Sequence, residues 1–148
     1  MHREHLLKTM DSGIIPNKQL SVKEVLTLSE EELYHNLMCA LKQLNMPLDE
    51  VTIKFRPYSK TYYGRYFPDS SRIFIYPYND EDGNFMSFTS ILCTTIHEMV
   101  HHIQHQDPNF KRQKGIMHDP KFWELYNHFL DRAVSKSILV REEIENIG

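Results

Sequence analysis

The sequence predicts an α+β fold, a small antiparallel or mixed sheet packed on helices. Three observations carry this. Long segments repeat apolar residues at helical spacing, three short aromatic and β-branched segments lie between the first and second of them, and the order is helix, strands, helix, loop, helix. The 148 residues suit one core, and 41% hydrophobic against 25% charged residues is a globular composition. Residues 1–148 therefore read as a single domain, without repeats or low-complexity tracts.

Residues 1–20, with DSGIIPNKQ as a turn or loop, read as a flexible N-terminal segment. SVKEVLTLS is a short helix or a helix lead-in. A firm helix is expected over 30–44, because Ser29 and Glu32 form the S-x-x-E pattern of a capping box. Leu33, Leu37, Leu41 and Leu44 give that helix one apolar face, and Asn45-Met46-Pro47 ends it. Residues 51–58 alternate Val51, Ile53 and Phe55 on one side, as a strand does. YYGRYF (62–67) and RIFIYP (72–77) read as a hairpin turned by PDSS. A polar loop, 78–87, leads into a helix from about Phe88 to about Gln106. After the loop 107–118, Asp119 is a good N-cap and Pro120 suits the first helical position, where its missing amide costs nothing. The last predicted helix runs over 121–140 and buries Phe122, Leu125, Tyr126, Phe129 and Ala133.

Composition excludes several classes. No apolar run approaches the roughly 18 residues of a membrane span, so no membrane partner is expected. The opening MHREHLLKTM lacks a secretory h-region, which makes the cytoplasm the expected location. Cys39 and Cys93 both sit in apolar helical patterns and read as free buried thiols; without a CxxC there is no cysteine-built zinc ribbon. A formal net charge of −3, with 111-KRQK-114 as the one basic cluster, argues against a protein driven mainly by nucleic acid.

The chemistry lies in 94-TTIHEMVHHIQHQ-106. On a helix, Leu92, Ile96, Met99 and Ile103 form the core side, while His97 and His101 stand one turn apart on the opposite side with Glu98 beside them. H-E-x-x-H in this setting is the arrangement in which two imidazoles hold zinc and the glutamate reaches a water. A catalytic zinc usually keeps three protein ligands. His118, held just before a helix start, is the choice for the third, ahead of Asp107, Glu124 and His105. His105 is too far along a straight helix, about 12 Å from the first ligand by rise. His102 points elsewhere, toward solvent or a supporting contact. Tyr62, Tyr63, Arg65, Tyr66 and Tyr126 remain open as oxyanion partners, and YYGRYF or RIFIYP as a strand for extended substrate.

The segments 96-IHEMVHH-102 and 115-GIMHDPKFW-123 resemble the SprT-like zinc metalloproteases, the Spartan-type group. Met99, His101, His118, Pro120 and Phe122 fall at matching positions, while Asp119 replaces a glycine and Gly115 stands away from the ligand. The resemblance extends loosely over about residues 30–130. It implies a zincin-like fold, one catalytic Zn2+ held by His97, His101 and His118, Glu98 as general base, and a protein or peptide substrate. Family members act on proteins trapped on DNA; here peptide hydrolysis carries over, and DNA-associated proteins enter as one candidate substrate class. Two alternatives stand beside this: a zinc hydrolase of a non-peptide substrate, and a non-catalytic binding module whose zinc is closed by Asp107 or His105.

Overall fold

The structure is a computed structural model that describes residue 1, residues 22–111 and residues 115–147, with side chains from residue 30 onward in the first helix. The reading of residues 1–20 as flexible therefore lies outside the described residues, apart from Met1. Four helices and a three-stranded mixed sheet follow in the order α1 (Val22–Gln43), β1 (Thr52–Phe55), β2 (Gly64–Phe67), β3 (Arg72–Ile75), α2 (Phe88–Gln106), α3 (Pro120–Ser135) and α4 (Arg141–Ile147). Among the described residues no helix is long and apolar enough to cross a membrane.

Helix α1 begins earlier than the capping pattern suggests. Ser29 lies inside it, so S-x-x-E here is not a start signal, and the lead-in continues the same helix. Its end is as expected. Asn45 adopts φ 59, and the Met46 and Asn45 amides donate back to the Leu41 and Lys42 carbonyls at 3.1 and 3.0 Å. That is a Schellman stop, where asparagine tolerates the left-handed backbone. Leu37, Leu41 and Leu44 are fully buried and Leu33 packs at the margin.

The strand order is β1-β3-β2. β2 and β3 form the expected antiparallel hairpin, with Tyr66 opposite Ile73, and the turn ends at Ser71 with φ 51. β1 joins β3 in parallel, Ile53 opposite Ile73. Period-two alternation puts Ile53, Ile73 and Ile75 against the helices, and each buried aliphatic of this kind contributes about 1.5–3 kcal/mol. One face of the sheet lies on α2, which also packs on α1, α3 and α4.

Helix α3 stops at Ser135 rather than near 140. Ser137 takes φ 60, while the Ile138 and Ser137 amides donate to the Ala133 and Val134 carbonyls at 2.8 and 3.0 Å, a second Schellman stop. The reversal returns Leu139 to the core at 3% exposure and allows the unpredicted α4. Phe122, Phe129 and Ala133 are buried as expected, together with Leu130; Leu125 and Tyr126 are only half-buried.

Both cysteines are free, but only Cys93 is buried; Cys39 faces solvent on the polar side of α1. Burial pushes the Cys93 thiol up to about 12, against a hydrogen bond with Tyr126 that works the other way. Since the thiolate is the reactive form, a thiol reagent at neutral pH should titrate Cys39 alone in the folded protein and both cysteines after unfolding. A rapid reaction at Cys93, mapped by mass spectrometry, would contradict this burial.

Candidate metal centre

Ser87 caps α2, its side chain accepting from the Ser90 amide at 3.1 Å. From there α2 passes through the middle of the molecule. Fourteen of its nineteen residues are buried, so the amphipathic pattern seen in the sequence understates how enclosed it is. His97 and Glu98 are each 2% exposed.

His97 and His101 face His118. Their Nε2 atoms lie 3.0 and 3.2 Å from His118 Nε2, and one nitrogen from each of the three falls within 4.8 Å of the others. Ligands placed 2.0–2.1 Å from one zinc ion at the tetrahedral angle stand about 3.3 Å apart, so the spacing fits such an ion. Three imidazole nitrogens converging on one point also suit a cation between them better than three lone pairs facing each other.

The third histidine is held by the helix start behind it. Asp119 Oδ1 accepts from the Phe122 amide at 2.8 Å, and the Gln104 side chain of α2 reaches the same oxygen at 3.5 Å. Phe122, wholly buried, lies under all three imidazoles, with centroids 4.8, 4.6 and 4.7 Å from those of His97, His101 and His118. Asp107, His105 and Glu124 are exposed and stand outside this cluster.

Glu98 lies where β2 meets α2. Gly64 permits that approach: a Cβ there would stand 2.8 Å from Thr94 Cγ2, 3.1 Å from Glu98 Cγ and 3.2 Å from Glu98 Oε2. Burial raises the Glu98 carboxyl above its ordinary range, while the Met1 amine and, more weakly, Arg65 pull it back. The Met1 amine donates to Glu98 Oε2 at 2.6 Å.

A cleft of about 340 Å³ opens over these groups, lined by Tyr62, Arg65 and Tyr66 on the sheet side and by Phe110 and Met117 from the loop. The loop between α2 and His118 thus borders the site, as its position in the chain implies; residues 112–114 of KRQK lie outside the described residues. Of the five oxyanion candidates, Tyr63 is fully buried in the core and Tyr126 bonds Cys93, leaving Tyr62, Arg65 and Tyr66 at the cleft.

Two features lie beyond the local sequence signals. Of the two settings open to His102, solvent or a supporting contact, it has the second: it is wholly buried, its Nε2 is 2.9 Å from Glu50 Oε1, and its Nδ1 is 2.9 Å from the Tyr66 hydroxyl. With Nε2–H donating to the carboxylate, Nδ1 accepts from Tyr66, and the pair ties β2 to α2. Gly64 is the other, although a lone glycine inside a strand pattern is itself a signal of close backbone approach. The chain matches no known protein family, no characterised protein and no solved structure.

Proposed function

We propose that this chain is a zinc-dependent endopeptidase with a zincin-like fold, of the SprT-like kind. The observation that carries the reading is the convergence of His97, His101 and His118 beside the buried carboxylate of Glu98, in a cleft along a strand edge. Three neutral nitrogens with a fourth position left to water is the ligand set of catalytic zinc. A closed structural site would need a fourth ligand, and neither Asp107 nor His105 is among the groups that converge with the three imidazoles.

Bound zinc supplies Lewis acidity toward a water and toward a peptide carbonyl. The rest falls to the chain's own groups. Glu98 takes a proton at its carboxylate from the attacking water and delivers it to the departing amine. Its burial keeps competing solvent away, and the Arg65 charge at the rim helps hold it ionised. The edge of β2 offers backbone groups to an extended peptide, which fixes the scissile bond over Glu98. Arg65 and Tyr62, both at the cleft, are the groups that would meet developing negative charge, since the Tyr66 hydroxyl is engaged by His102.

The test joins metal content to cleavage. The purified chain should hold about one zinc, and His118→Ala should lower zinc affinity by at least tenfold, read by competition with a chelator. The loaded chain should cleave an unfolded protein and lose that activity with the metal. Cleavage of a basic DNA-binding protein only when single-stranded DNA is added would bring DNA-associated proteins in as the substrate class. Activity that survives complete removal of metal would end the proposal.

A further inference from the structure

Met1 lies against the outer edge of β2 as a bound peptide strand would. The Gly64 amide donates to the Met1 carbonyl at 3.2 Å, and the Met1 nitrogen donates to the Gly64 carbonyl. Residues directly opposite in an antiparallel ladder exchange their bonds in this way. The Tyr63 amide donates to the same Met1 carbonyl at 2.7 Å. The nitrogen thus positioned also donates to Glu98 Oε2 at 2.6 Å, where a leaving amine would collect its proton.

The side chain turns from the edge of β2 toward Thr94 of α2. A Cβ on Gly64 would collide with Thr94 Cγ2, so β2 and α2 are in close contact there, and the recess lies beside that contact. The Met1 side chain, 6% exposed, fills it against the core, and Thr94 Oγ1 donates to its Sδ at 3.6 Å. A branch at Cβ would crowd the narrow end beside Gly64 and Glu98, and an acidic side chain would meet the Glu98 charge.

We infer that this recess is the subsite for the residue on the amine side of the cut bond, and that it selects an unbranched apolar side chain, methionine above all. The inference rests on the peptidase reading, whose failure is separable from its own. The zinc-loaded chain is given a mixture of unfolded proteins and the cut sites are mapped by mass spectrometry. Methionine and leucine should follow the cut at least tenfold more often than valine, isoleucine or aspartate. Thr94→Ile, which replaces the hydroxyl by an ethyl group and so adds one heavy atom at the recess, should shift the preference to alanine and glycine. Thr94→Val keeps the parent's shape without the hydroxyl and should still disfavour valine, isoleucine and aspartate while losing methionine's advantage over leucine; melting temperatures at the parent's value in both variants show that the fold is kept.

Cleavage without this preference overturns the subsite and leaves peptide hydrolysis standing. Should no cleavage occur, calorimetry on the metal-free chain decides the recess alone. Heat on adding millimolar methioninamide but not aspartic acid amide keeps it, and the same response to both, or to neither, overturns it.

Discussion

If the proposed function holds, replacing Glu98 by glutamine should lower peptide cleavage by about 10²–10⁴-fold while leaving metal content unchanged, the range that removal of a general base gives. Glutamine has the same shape as glutamate and still accepts a hydrogen bond at Oε1, so the packing against Gly64 and Thr94 is kept. What it loses is the capacity to carry a proton from water to amine. A metal held by His97, His101 and His118 would stay, because none of its ligands changes. The sign of the stability effect is also defined. Burial raises the Glu98 carboxyl, so the folded chain binds that proton more readily than the unfolded chain. Its contribution is full below the unfolded value and is lost as pH rises through the folded one. The metal-free glutamine variant escapes that loss and should be at least as stable as the metal-free parent at neutral pH. A variant that cleaves at the parental rate with zinc bound would remove Glu98 from the mechanism.

Phe122→Ala should cost about 3–5 kcal/mol of stability, read from the urea midpoint, because it empties a fully enclosed aromatic site. Its second effect is more specific. Phe122 touches all three imidazoles, so its loss frees their rings to turn, and metal affinity should fall by about 10–100-fold, as when other supporting contacts of a metal site are removed. Leu130→Ala separates the two effects. Leu130 is 3% exposed on the same helix and makes none of these ring contacts, so it should destabilise the fold yet leave metal affinity near the parent's. Equal metal loss in both variants would mean that Phe122 acts only through global stability.

The elements best legible in the sequence are those whose signals are local. Helix α2 has its predicted bounds because its apolar period is unbroken from Phe88 to Gln106, and Asp119-Pro120 marks the α3 start without ambiguity. The hairpin follows from two aromatic runs around a short turn. His118 joins His97 and His101 because a capped helix start fixes the backbone next to it. What was misread or left open depends on tertiary context. Ser29-x-x-Glu32 is the composition of a cap with no helix end to cap, since propensity carries α1 through it. The α3 stop at Ser137 uses a left-handed serine, which sequence seldom announces. The parallel pairing of β1 with β3 depends on a long-range contact. The burial of His102 requires partners at Glu50 and Tyr66, distant in the chain, and periodicity describes a helix face without saying what covers it.

The enclosure of most of α2 has a dynamic consequence. Amides in a helix packed between a sheet and three other helices exchange with solvent only when the whole structure opens, whereas peripheral segments open alone at much lower cost. Among the described residues, His97, Glu98 and His101 stand on the element expected to exchange most slowly, while His118 is half-exposed at the end of a surface loop. Fluctuations of the centre are therefore one-sided. Its floor should persist for as long as the protein is folded, and an ion held there would exchange by movement of the His118 side.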